Sequence, residues 1–171
     1  SLKISKPFDG ISWGAVYSQY LESLDKLKAQ NNNVSITRHL FVKRIENGKN
    51  QWIEIKNNDI LNVGEEFKTQ LIITSDRDID FLELKNQRAA CLEPEQSIST
   101  YNWQNGQGYY QSVKDASTTY FFDHFRKGTC IINDFSFIDR TGKYHMGLST
   151  VKCAYSMEFG GHSGGCELIV K

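Results

Sequence analysis

A cysteine and a glutamine close together in a chain can form an internal thioester, in which the sulfur is joined to the glutamine acyl carbon. Cys91-Leu92-Glu93-Pro94-Glu95-Gln96 comes near to this, but the ring requires Cys-x-x-Gln. Pro94 stands where the glutamine is needed and Gln96 lies two residues too far along, so no such bond is expected within this chain. Asp76, Asp78 and Asp80 have the alternating carboxylates that open a calcium-binding EF-hand loop. That loop also needs a glycine at its sixth position and a bidentate glutamate at its twelfth. Phe81 and Gln87 occupy those places, so the acids read as turn residues and the solvent side of a strand.

Gly161-His162-Ser163-Gly164-Gly165 differs by one residue from the Gly-Asp-Ser-Gly-Gly loop of trypsin-like serine proteases. Histidine replaces the aspartate, the segment sits close to the last residue, and Ser163 has no arranged His and Asp partnership. It reads as a glycine-rich loop before a final strand. His162 and Cys166, with Cys153, are the remaining ligand types, yet zinc sites prefer two close pairs and the second is missing. His39, His124 and His145 stand isolated among β-patterned residues. No catalytic residue, metal or cofactor is expected. The four cysteines (Cys91, Cys130, Cys153, Cys166) show no Cys-x-x-Cys spacing, leaving buried thiols or one or two disulfides open.

Aromatic residues offer a different chemistry. Tyr101, Trp103, Tyr109 and Tyr110 lie in a stretch rich in Gly, Asn and Gln, read here as a long loop. Such rings stack on sugars or form protein contacts, because they supply area at low entropy cost. They also serve a loop that folds back over an open sandwich end. A glycan-binding or adhesion sandwich using residues 101–110 is therefore one functional reading.

The elements that would position these groups are almost all β. The 171 residues suffice to bury a core without disulfides or metals. The 20 Lys and Arg balance the 20 Asp and Glu, so no global field favours nucleic acid or an anionic membrane surface. No apolar run reaches the roughly 18 residues that cross a bilayer as a helix. The chain has no starting methionine and reads as a piece excised from a longer protein. Residues 11–20 (ISWGAVYSQY) alternate as a strand, and 22–33 (ESLDKLKAQNNN) read as a mobile linker. Strands are expected over 34–43, 52–55, 67–74, 79–84, 118–122, 129–137, 144–155 and 166–170, punctuated by Asn47-Gly48, Asn62-Val63-Gly64-Glu65, Arg126-Lys127-Gly128 and Asp139-Arg140-Thr141-Gly142. Short strands with regular turns and only two prolines predict an all-β, antiparallel β-sandwich of immunoglobulin-like architecture.

The stretches 11–20, SDRDIDFLELKNQRAACLEP (75–94), GYYQSVKDASTTYFFD (108–123), KGTCIINDF (127–135) and GKYHMGLSTVKCAYSMEFGGHS (142–163) carry a resemblance. In order and length the chain resembles the C-terminal region of bacterial α2-macroglobulin-family proteins. The resemblance implies a macroglobulin-type sandwich, MG10, over residues 34–171, preceded at 1–33 by a residual strand of a CUB-like domain and its linker. It implies a non-catalytic role in a protease-trapping parent, periplasmic or held in the cell envelope, whose target proteases are met by the parent and not by this piece. The implied partners of the piece are the neighbouring thioester and CUB-like domains, with no nucleic acid and no membrane contact. The implied thioester-domain interface is Tyr155, Met157, Glu158 and Phe159, with Tyr109 and Tyr110 as a second patch.

Overall fold

The computed structural model describes residues 3–19, 21–46, 48–56, 59–104, 106–156 and 158–171. Residues 3–19 lie exposed without a strand or helix, so the strand expected over 11–20 is absent from its described part. Extended backbone becomes a strand only against a partner edge that takes its N–H and C=O groups. Trp13 is 94 % exposed. A single 3-10 turn follows at Leu24–Lys26.

The strands are β1 (Gln30–Asn32), β2 (Val34–Glu46), β3 (Lys49–Glu54), β4 (Ile60–Leu61), β5 (Glu66–Ser75), β6 (Ile79–Gln87), β7 (Leu92–Pro94) and β8 (Thr100–Gln104). They continue with β9 (Gln107–Lys114), β10 (Ser117–Phe125), β11 (Gly128–Ile138), β12 (Gly142–Met146), β13 (Ser149–Cys153), β14 (Gly160–His162) and β15 (Cys166–Val170). Long β2, β5 and β11 form a central layer, with β3 beside β2 and β7 beside the end of β11. A second layer runs β13-β6-β10-β9-β8, joined to the first through the short β14-β1 pair. A small third sheet has the order β12-β15-β4, and β4 lies parallel to β15. The all-β, largely antiparallel sandwich is as expected.

Period-two patterning explains how one layer serves two cores. On β5, Phe67, Thr69, Leu71, Ile73 and Ser75 all turn inward. Registers place Ile36 and Cys130 on either side of Ile73, and Val42 and Ser136 on either side of Phe67. Ile36, Leu71, Ile73 and Ile132 pack in one core with Leu82, Leu84, Tyr120, Phe122 and Val151 of the second layer. Val42, Phe67 and Ile138 pack in another with Leu61, Met146, Leu168 and Val170 of the small sheet. Each such fully buried side chain contributes about 1.5–3 kcal/mol over leaving it exposed.

A polar belt separates the cores. Asn86 Nδ2 donates to Asp134 Oδ2 (3.0 Å), Ser149 Oγ donates to Asn86 Oδ1 (2.8 Å), and the Ser149 amide donates to Ser163 Oγ (3.0 Å). Arg38, whose guanidinium donates to the Gly147 and Gly164 carbonyls, closes the belt at the other side. Burial is the larger influence on Arg38 and holds its pKa below the ordinary value.

Two segments differ from their sequence reading. Residues 100–114, read as a loop, form the β8-β9 hairpin, with Gly106 at φ 75° in its turn. Part of the stretch read as a mobile linker is tied to the sandwich: β1 pairs with β14, and the Gly165 amide donates to the Leu27 carbonyl (3.0 Å).

Candidate functional site

At one end of the sandwich, where β6 begins and β13 runs out, aromatic side chains collect in the open. Phe81 interrupts the alternation of β6: Asp80 and Phe81 are both exposed between buried Ile79 and Leu82. Its φ of 55° places a bulky residue in the left-handed region, where non-glycine residues are costly. The 153–160 connection is held over it by two backbone bonds. The Ala154 amide donates to the Phe81 carbonyl (2.9 Å), and the Cys153 amide donates to the Phe159 carbonyl (2.9 Å). A turn closed from the Phe159 amide to the Ser156 carbonyl (3.0 Å) then presents Tyr155 outward.

The Phe81 and Tyr155 rings meet edge-on with centroids 5.3 Å apart, yet remain 50 % and 81 % exposed. Phe159 is anchored differently, packed on the first core and covered by the Arg77 guanidinium at 5.4 Å. Together with Asp78, Ile79, Asp80, Cys153 and Ser156 these rings line an open cavity of about 340 Å³. The rim is acidic and occupied: Asp78 Oδ1 accepts from the Lys127 amide (2.7 Å) and Asp80 Oδ1 faces His124 Nδ1 at 2.6 Å. The cradle is suited to receiving an apolar group from a partner, and among the described residues it holds no nucleophile hydrogen-bonded to a base.

Of the expected interface residues, Tyr155 and Phe159 come together here. Glu158 lies exposed beside them, its carbonyl accepting from Asn33 Nδ2 (3.0 Å), and Met157 falls outside the described residues. The second expected patch needs correction. Tyr109 and Tyr110 are neighbours on β9 and point to opposite faces; Tyr109 is 5 % exposed, in the first core, while Tyr110 faces out. Tyr109 also leaves the set proposed for sugar stacking. Tyr101, Trp103, Tyr110 and Phe121 share the outer face instead, with Tyr101, Tyr110 and Phe121 in register across β8, β9 and β10. Gly108 permits this, since a Cβ there would lie 2.3 Å from the Tyr101 hydroxyl and 2.7 Å from the Trp103 ring. Phe81 enters the sequence reading only as the residue that rules out a calcium loop; the signal for its exposure is the run Ile79-Asp80-Phe81-Leu82, which breaks strict alternation.

The other chemical motifs separate. Asp76 pairs with Arg77, away from the partners of Asp78 and Asp80. Ser163 is buried and donates to the Gly164 carbonyl (3.1 Å), while His162 Nδ1 donates to the Ser163 carbonyl (3.0 Å). All four cysteines are free thiols. Cys91 is fully buried in the second core, and burial pushes its pKa up to about 11.

The profile of the bacterial α2-macroglobulin MG10 domain matches residues 34–158. The chain belongs to that family. Solved structures similar to this MG10 chain include native α2-macroglobulin from Escherichia coli, spanning domain MG7 to the C-terminus (TM-score 0.65, 16 % identity, 84 % of this chain and 24 % of that one). Salmonella α2-macroglobulin reacted with methylamine is similar over 85 % of this chain and 10 % of its own (TM-score 0.65, 13 % identity). E. coli α2-macroglobulin activated by porcine elastase matches 85 % of this chain and 14 % of its own (TM-score 0.66, 17 % identity). A search of curated proteins found no match. This MG10 chain thus spans a quarter or less of the solved proteins it resembles, and at these identities the likeness establishes the fold.

Proposed function

We propose that this MG10 chain is a non-catalytic module of a protease-trapping α2-macroglobulin-like parent, packing on a neighbouring thioester domain and shielding its reactive bond. The observation that carries the reading is the open aromatic cradle of Phe81, Tyr155 and Phe159. An acyl thioester exposed to water hydrolyses, so its cover must exclude water, hold a fixed shape and release when the partner moves. Rings preset edge-on supply area without a large ordering cost on docking. Tyr155 caps the bond, Phe159 forms the wall behind it, and Phe81 holds Tyr155 in place. Glu158 lies beside them, Met157 is included in the proposed interface from the sequence alone, and Tyr110 belongs to a separate outer patch.

Two relatives bear on the reading: one is described as reacted with methylamine, a small nucleophile, and another as activated by elastase, a protease. In the same proposal residues 1–33 are a residual CUB-like strand and its linker, the end of the linker being tied to the sandwich through β1, and 34–171 form the sandwich. The parent works in the periplasm or cell envelope and meets the target protease there. The test mixes this chain with the adjoining thioester-type domain and follows the heat of binding. Saturable association, weakened at least about tenfold (about 1.4 kcal/mol) by Tyr155→Ala, is expected. No association at high micromolar concentration would sink the proposal. The isolated chain is expected neither to cleave peptides nor to inhibit proteases.

A further inference from the structure

The sandwich is open along one side. β8 is the edge strand of the second layer, and β7 covers Ser136–Ile138 of β11, with the Glu95 amide donating to the Phe135 carbonyl (3.0 Å) just beyond. Between the two exposed edges lies a cleft of about 430 Å³, lined by Glu95, Gln96, Asn102, Gln104, Tyr109, Gln111 and residues 133–135. That volume is within the range of about 300–1,000 Å³ typical of small-molecule pockets. Its chemistry is unusual for a gap between layers, which apolar side chains ordinarily fill.

The amides are paired so that each keeps a free function. Asn102 Nδ2 donates to Gln111 Oε1 (2.9 Å), leaving Asn102 Oδ1 as acceptor and Gln111 Nε2 as donor. The Tyr109 hydroxyl donates to Gln104 Oε1 (3.3 Å), leaving Gln104 Nε2. Asp134, 6 % exposed, commits Oδ2 to Asn86, and the Asn86-Ser149-Ser163 chain fixes its orientation from behind. The same carboxylate also acts on the buried Tyr120 phenol behind it. Asn133 and Phe135 alternate with Asp134 on β11 and face away from it, Phe135 meeting the Trp52 ring with centroids 5.7 Å apart.

We infer that this cleft is a binding site for a neutral saccharide. A sugar hydroxyl both donates and accepts, and the cleft offers both kinds of partner in fixed positions. Glu95 and Asp134 with no lysine or arginine in the lining disfavour an anion. The polar floor disfavours an apolar ligand.

The test is a titration of the isotopically labelled full chain with maltose, cellobiose and diacetylchitobiose, following the side-chain amide signals of Asn102, Gln104 and Gln111. At least one disaccharide is expected to shift them saturably. Gln104→Ala and Asp134→Asn should each weaken that binding at least about tenfold. A melting curve on each variant establishes that it is folded, and Gln104→Ala, on an edge strand, keeps the question open if Asp134→Asn unfolds. Trp103→Ala, which alters only the outer face of the same hairpin, should leave the affinity within about twofold. The inference is overturned if none of the three sugars gives saturable shifts, if glycerol shifts the signals equally, or if a short extended peptide binds where the sugars do not. It is also overturned if Trp103→Ala abolishes binding while Gln104→Ala does not.

Discussion

Phe81 shows how a single residue separates stability from binding. Its left-handed backbone costs energy that glycine does not incur, and its half-exposed ring returns little to the core. Phe81→Gly is expected to leave the melting temperature unchanged or raise it, by up to about 1 kcal/mol in stability. The same change should weaken association with the thioester-type domain several-fold, since Tyr155 loses its edge-on support; calorimetry on one preparation measures both. The thiols give a pH prediction. Burial pushes Cys91 and Cys130 from an ordinary value of 9.0 up to about 11. Stability from these groups is fully present below about pH 9, and is lost as pH rises through about 11, because the unfolded chain releases these protons first. Buried Tyr120, whose phenol is raised chiefly by burial and then by Asp134, acts in the same direction. Thermal melts should therefore fall steadily above pH 9, and iodoacetamide at pH 8 should modify Cys91 and Cys130 only after denaturation.

At the scale of elements, the β1-β14 pair decides whether the stretch before the sandwich is held. Gly161 lies opposite Asn31, and a Cβ there would stand 2.5 Å from Asn31 Oδ1 and 3.0 Å from the Gln30 carbonyl oxygen. Backbone cannot yield as a flexible side chain does, so Gly161→Ala should cost about 1–3 kcal/mol. Hydrogen exchange should show residues 30–32 losing protection while β5 and β11 keep theirs. The β8-β9 hairpin teaches a related lesson about legibility. Asn105-Gly106 between Tyr101–Trp103 and Gly108–Val113 is a hairpin signal, and the Gly, Asn and Gln around it masked the alternation. Once β9 is a strand, Tyr109 and Tyr110 must face opposite ways, and the patch expected from their adjacency divides.

Across the whole molecule, two cores share the inner face of one three-strand layer, with a polar belt between them. Residues 3–19 contribute to neither, so a chain starting at Leu21 should unfold in urea within about 0.5 kcal/mol of the full chain. A chain starting at Ser35 loses β1 and the Val34 side chain, and should be less stable by more than about 2 kcal/mol. Equal stability of the two truncations would show that β1 contributes nothing.

Local chemistry was enough to read most strands, their turns and the all-β class, because alternation of apolar residues and glycine-bearing turns are properties of neighbours in the chain. Spacing alone likewise excluded a thioester at Cys91, and the order of motifs carried the family resemblance. Tertiary structure decided which aromatic residues reach solvent: it placed Phe81 against Tyr155, turned Tyr109 inward and brought Phe121 beside Tyr110. It also assembled the polar cleft from β8, β9 and β11, strands whose side chains are distant in sequence. Those outcomes depend on cross-strand register and on which sheet edges are left open, and both are set by contacts between segments that no local pattern encodes.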